Sequence, residues 1–183
     1  MNIIKTAIEG MVIIEPKVHG DARGYFFESF NLRDFSQQLG VEISFVQDNE
    51  SRSHRGVVRG LHFQLPPFAQ AKLVRVVEGE VLDVVVDIRS NSPTYGKHVA
   101  ARLSAENKRQ FFIPKGFAHG FAVLSDTAVF QYKCDEYYHP EAEGALAWDD
   151  PALAIDWAIP HSEAELSEKD RRNTAFGQFV SPF

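Results

Sequence analysis

Ala71-Lys-Leu-Val-Arg-Val-Val-Glu78, then Gly79, then Glu80-Val-Leu-Asp-Val-Val-Val-Asp-Ile88 is the stretch whose reading decides the fold. Both halves are β-branched runs of strand length, and neither carries the 3.6-residue period of an amphipathic helix. Gly79 predicts a tight turn between them, because a residue without Cβ reaches turn conformations that others avoid. Outward from this pair, similar short runs occupy 44–49 and 57–64 on one side and 99–103, 110–113, 119–124 and 128–134 on the other. Pro66 and Pro67 interrupt the sheet between 64 and 71, since proline removes a ladder donor. Strands at 12–15 and 25–30 flank the polar turn His-Gly-Asp-Ala-Arg-Gly at 19–24 and predict a hairpin.

Helical signals are few. Asn31 is placed to cap a short helix carrying Leu32, Phe35 and Leu39 and stopping at Gly40. Ser162-Glu-Ala-Glu165 fits a capping box and predicts a second short helix through the following Leu-Ser-Glu-Lys-Asp-Arg-Arg. Many short strands with no long helix between them predict a mainly β sandwich or jelly-roll barrel, one domain over 1–183.

A chain of 183 residues is long enough for one substantial core and short for two. Its formal charge of −6 opposes broad binding to nucleic acid or anionic membrane, and leaves room for a small anion in a locally basic pocket. Cys134 is the sole cysteine, which excludes an internal disulfide and a thiolate cluster and points to a reducing compartment. Lys5 and Glu9 break the apolar character of 1–16, which reads as strand and not as a secretory signal. No run approaches the roughly 18 apolar residues of a membrane-spanning helix. A soluble, cytoplasmic protein is the expectation.

Gly56, His62 and Pro114-Lys-Gly116-Phe-Ala-His119 resemble the two signature segments of the cupin superfamily, whose double-stranded β-helix or jelly roll agrees with the strand reading. A metal-binding cupin supplies His-x-His followed by Glu from the first segment. Here Gln64 stands at the second position and no carboxylate lies between it and Glu78. An amide oxygen is a poor substitute for imidazole at a transition-metal site, so a pocket with no metal and no cofactor is expected.

A more specific resemblance covers nearly the whole chain. Gly20-Asp-Ala-Arg-Gly24, Gln47-Asp-Asn49, Val58-Arg-Gly-Leu-His-Phe-Gln64, Gln70-Ala-Lys-Leu-Val-Arg75, Ile113-Pro-Lys-Gly-Phe-Ala-His-Gly-Phe121, Asp150-Pro-Ala-Leu-Ala-Ile-Asp-Trp157 and Leu166-Ser-Glu-Lys-Asp170 together resemble the dTDP-4-dehydrorhamnose 3,5-epimerase family. The resemblance implies inversion of both carbons beside the ketone of dTDP-4-keto-6-deoxy-D-glucose, giving dTDP-4-keto-L-rhamnose for dTDP-rhamnose biosynthesis. It also implies a homodimer in which an N-terminal strand crosses to the neighbour.

Inverting a carbon next to a ketone needs a base, a partner for the enolate oxygen and an acid on the opposite face. By resemblance His62 is the base, a role that suits imidazole because its ordinary pKa lies near neutral pH. Asp170 orients it, Lys72 faces the developing enolate, and Tyr132 is the acid. His119 and Arg59 hold the sugar and the diphosphate, guanidinium being suited to bidentate phosphate contacts. Arg23, Phe26, Glu28, Gln47, Asn49, Glu143 and Lys169 match the family's nucleotide and sugar contacts. Whether Arg23 and Glu28 serve their own or the neighbour's site stays open.

Taken singly, these residues have plainer readings. Tyr132 alternates with Phe130 and Cys134 and reads as core packing, and Lys72 as an edge-strand charge. Arg52, Arg55 and Arg59 read as a solvated basic face. His54, His98, His139 and His161 are expected to be structural or exposed. Strict alternation puts Arg59 and His62 on opposite sheet faces unless Gly60 marks a bulge. The tail at 171–183 carries no assigned role. Three rival functions remain open: a single-centre epimerase of the same family, a metal-dependent cupin oxygenase or isomerase, and a non-catalytic sugar-nucleotide binding module.

Overall fold

The computed structural model describes residues 1–183. In chain order its elements are β1 (Asn2–Lys5), β2 (Val12–Glu15), β3 (His19–Asp21), β4 (Gly24–Phe26), helix α1 (Leu32–Leu39), β5 (Gln47–His54), β6 (Val58–Gln64), β7 (Lys72–Glu78), β8 (Glu80–Asp87), β9 (His98–Ser104), β10 (Gln110–Ile113), β11 (Phe117–Val123), β12 (Thr127–Cys134) and β13 (Glu143–Ala145). One sheet runs β1-β2-β10-β7-β12-β5 and a second runs β13-β6-β11-β8-β9, while β3 and β4 form a separate hairpin. The two larger sheets face each other as a jelly roll.

Three apolar layers hold this arrangement. Between the sheets lie Val74, Val76, Phe111 and Phe130 from the first and Val81, Val85, Phe121 and Val123 from the second. The outer face of the five-stranded sheet presents Val58, Leu61, Val84 and Val86, covered by Trp148, Trp157 and the C-terminal rings Phe176, Phe179 and Phe183. The outer face of the six-stranded sheet presents Leu73 and Phe112, covered by Phe35 of α1. Burying one such side chain contributes roughly 1.5–3 kcal/mol. Because β8 is covered on both sides, 81–86 reads as an almost continuous apolar run and not as an alternation.

Helix α1 forms where the local signals place it. The Asn31 side chain accepts a hydrogen bond from the Asp34 backbone N–H, and Gly40 takes the left-handed conformation at the other end.

Gly79 does not close a hairpin. β7 pairs with β10 and β12, whereas β8 pairs with β9 and β11, so the chain leaves one sheet at Glu78 and enters the other at Glu80. Gly79 has φ +75, and a Cβ there would lie 2.0 Å from the Thr127 carbonyl oxygen, so only glycine fits this corner.

The predicted C-terminal helix is absent, and only short 3-10 turns occur at His161–Glu163 and Asp170–Arg172. The reason lies in the backbone partners. Glu165 N–H donates to the Gly56 carbonyl and its own carbonyl accepts from Val58 N–H, so this segment satisfies its polar groups on the edge of β6. The strand predicted over 25–30 stops at Phe26, and that predicted over 44–49 begins at Gln47 and continues to His54, where β12 supplies a full ladder. β13 is an addition; three residues with a glycine at the centre carry no strand signal.

The tail packs on its own chain. Thr174 bridges Leu146 in parallel, the Phe176 N–H donates to Asp150 at 2.7 Å, and the Phe183 carbonyl accepts from Ser90 N–H at 2.9 Å. The Phe179 and Phe183 rings lie 5.2 and 6.3 Å from the ring of Phe63, one residue from His62.

Candidate active site

The site is built on the inner faces of β6, β11, β7, β12 and β5. On β6 and β11 the register sets His62 opposite His119 and Arg59 opposite Phe121, so three steps along β6 match two along β11. The extra residue is a bulge, and it rotates Arg59 onto the same face as His62. Gly60 permits it: φ is +127, and a Cβ would stand 2.5 Å from the Gly120 Cα. The alternation that separates Arg59 from His62 in the sequence is thus broken at the glycine between them.

Opposite this face, Lys72, Cys134 and Gln47 lie in one cross-strand row, and Val74, Tyr132 and Asn49 in the next. The polar side chains gather toward β12 and β5, while Val74, Val76 and Phe111 keep the remainder apolar.

Arg59, His62, Glu143, Lys169 and Asp170 line a single cavity of about 320 Å³ together with Val57, Val58 and Leu166. His62 Nε2 and Asp170 Oδ1 are 2.5 Å apart, a contact joining residues 108 positions apart in the chain. Asp170 is buried, which alone would raise its carboxyl. Hydrogen bonds from His62, Ser167 and Asn173 outweigh that and hold it below the usual carboxylate range. An ionised Asp170 commits His62 Nε2 as a donor and leaves Nδ1 as the ring nitrogen that can take a proton from a ligand.

Glu143 is governed the same way. Burial would raise its carboxyl, and hydrogen bonds from Lys169 at 2.5 Å and Tyr138 at 2.6 Å bring it below the ordinary value. Arg59 Nε donates to Ser53 Oγ at 3.1 Å, which fixes the guanidinium stem and leaves its terminal nitrogens for an anion.

Tyr132 packs on the core against Phe130, with ring centroids 6.1 Å apart. Tyr132 is not among the residues lining the His62 cavity; the cleft of about 360 Å³ that it borders is formed mainly by residues of the sheet's outer face, among them Leu73, Arg75 and Gln131. Burial raises its phenol, the nearby Cys134 adds to this, and the charge of Arg59 opposes it, so the hydroxyl keeps its proton at neutral pH. Lys72 Nζ stands 5.8 Å from the centre of the Tyr132 ring. Burial lowers its ammonium pKa, against the opposing fields of Cys134, Asp83 and Glu143, which makes it a readier hydrogen-bond donor than an exposed lysine.

His119 is buried, with Nε2 2.9 Å from Asp83 Oδ2. Gln47 donates to Asn49 at 3.0 Å, which orders the amide pair at the start of β5.

Arg23, Phe26 and Glu28 stand apart. The β3–β4 hairpin is exposed along its whole length, Phe26 retains 69% of its surface, and Arg23 pairs only with Asp21 at 2.6 Å. No three of the chain's His, Cys, Asp and Glu residues come together in metal-ligating geometry. His54, His139 and His161 pair with Glu165, Glu141 and Asp149 at the surface. Four residues of the site's surroundings escaped the sequence reading: Ser53, Tyr138, Asn173 and Asp83. Only Asp83 carries a sequence signal, as the one charge inside the apolar run 81–86.

The family model described as dTDP-4-dehydrorhamnose 3,5-epimerase matches residues 5–178. The Escherichia coli K12 protein of that name is 57% identical over 172 residues, covering 94% of this chain and 92% of its own. The crystal structure of dTDP-6-deoxy-D-glucose-3,5-epimerase from Legionella pneumophila, in complex with dTDP-4-keto-L-rhamnose, superposes with a TM-score of 0.94 at 54% identity, over 98% of this chain and 94% of that one. A 3'-monoepimerase from Streptomyces bikiniensis, in complex with dTDP-quinovose, superposes at 0.88 with 36% identity, over 94% of this chain and 86% of that one. The chain belongs to the dTDP-4-dehydrorhamnose 3,5-epimerase family.

Proposed function

We propose that the protein inverts both carbons beside the ketone of dTDP-4-keto-6-deoxy-D-glucose by proton removal and return, without a metal ion. The observation that carries this reading is the His62–Asp170 pair, open to the same cavity as Arg59, Glu143 and Lys169. His62 Nδ1 takes the proton from the carbon, and the electron pair moves onto the ketone oxygen as an enolate. Lys72 stabilises that oxygen with an ammonium held in a poorly solvated place, where such a charge acts most strongly. Tyr132 returns a proton to the opposite face, and solvent restores the imidazole and phenol before the second carbon reacts. A non-catalytic binding module would need neither the base nor the acid.

Turnover in heavy water with a chelator present tests the reaction. The expected result is deuterium at both carbons flanking the ketone, read by proton NMR. Label at one carbon only replaces this reading with the single-centre epimerase, and loss of turnover on chelation replaces it with a metal-dependent reaction.

The exposed hairpin supports a homodimer in which Arg23, Phe26 and Glu28 complete the neighbour's site. Phe26 then stacks on the nucleotide base and Arg23 meets the diphosphate. Mixing inactive Arg23→Ala and His62→Ala proteins after joint unfolding and refolding should restore roughly a quarter of normal activity, since a mixed dimer unites one intact pair of contributions. No recovery would place the hairpin outside any shared site. The structure contains no helix long and apolar enough to cross a membrane.

A further inference from the structure

We propose that Asp83 is a positioning residue for the epimerisation, holding His119 in one tautomer and setting a fixed counter-charge beneath the Lys72 ammonium. This rests on the epimerase reading of the site.

Asp83 is fully buried on β8, a strand whose neighbouring residues are Leu82 and Val84. Taking a carboxylate out of water costs several kcal/mol, and a valine at this place would continue the apolar layer without that penalty. Retaining a charge there therefore calls for a partner worth the desolvation. One oxygen has such a partner: Oδ2 accepts from Nε2 of His119, which is itself buried. An ionised carboxylate only accepts, so Nε2 carries the hydrogen and Nδ1 is the ring nitrogen left for a substrate hydroxyl.

The other oxygen, Oδ1, is the sole buried side-chain polar atom of the chain with no hydrogen-bond partner. Lys72 shows the complementary lack. Its ammonium lies over the Tyr132 ring, and no hydrogen bond within the chain contributes to its surroundings, only the fields of Cys134, Asp83 and Glu143. Both residues point into the space between the sheets, Asp83 from β8 and Lys72 from β7. The other titratable groups facing this space are Arg59 and His62 on β6, His119 on β11, Tyr132 and Cys134 on β12, and Glu143 on β13. Glu143 takes both Lys169 and Tyr138 on Oε2, and Asp83 Oδ1 is the unpartnered carboxylate oxygen that is buried from solvent.

The test reads ligand-free protein, so it stands whether or not the keto-sugar is the substrate. With carbon-labelled lysine, the Lys72 resonance, assigned by its loss in Lys72→Arg, is titrated by NMR in wild type and in Asp83→Asn. The expected midpoint in Asp83→Asn is lower by about one pH unit, a tenfold change in proton affinity. An unchanged midpoint overturns the proposal. Nitrogen-labelled histidine in the wild-type protein supplies a second readout that needs no variant to fold: His119 protonated at Nε2 supports the proposal, and protonation at Nδ1 alone overturns it. In turnover, Asp83→Asn should lower kcat about tenfold with KM changed less than about threefold, and move the alkaline limb of the kcat profile to lower pH. In a Lys72→Arg background, where the cation no longer titrates, the same substitution should leave that limb in place; a shift of equal size there overturns the proposal. A wild-type protein that shows the NMR behaviour and no turnover would instead sink the epimerase reading alone.

Discussion

His62→Ala should lower kcat by a factor between about 10² and 10⁴, the range a positioned general base supplies, and should remove solvent deuterium exchange at both carbons. Nothing else in the cavity substitutes for it. Glu143 is committed to Lys169 and Tyr138, and Asp170 loses its partner but lies buried behind the imidazole. Arg59 and Lys169, the proposed diphosphate and sugar contacts, stay in the cavity lining, so KM should change far less than kcat. The fold should survive, because the β6 ladder is carried by backbone, while stability should fall as the buried Asp170 loses the imidazole. Deuterium wash-in measured by NMR checks this. Exchange at the wild-type rate in His62→Ala would mean that another group removes the proton.

Tyr132→Phe should separate two steps that His62→Ala stops together. Phenylalanine keeps the ring contact with Phe130 and removes only the hydroxyl, so packing is retained. Proton removal by His62 should then continue, with deuterium entering from the side of the base, while formation of the inverted product falls by about 10²-fold. Comparing label in recovered substrate with accumulation of product gives the ratio directly. Equal losses in both would remove Tyr132 from the role of acid.

How much of this was legible beforehand follows the range of the interactions concerned. Asn31 and Gly40 mark the ends of α1 because each acts on backbone groups within a few residues. Ser162 and Glu165 carry the same kind of signal and fail, since Gly56 and Val58 offer their backbone groups a competing partner more than a hundred residues away in sequence. The family resemblance brought His62, Asp170, Arg59, Glu143 and Lys169 forward as candidates, and the structure sets those five around one cavity. Asp83 was passed over because a single charge in an apolar run gives no hint of what it faces.

What the sequence determined alone was local: the strand runs, the capped helix, the glycines at 60 and 79, and a His-x-His ligand pattern broken at Gln64. Tertiary structure alone decided which sheet each half of 71–88 joins, that Arg59 and His62 share a face, that the tail seals the outer layer over Phe63, and that Asp170 reaches His62. Local propensities act through a few neighbouring bonds. Pairing, register and bulges are chosen by contacts among residues far apart in the chain, and these form only once both sheets are in place.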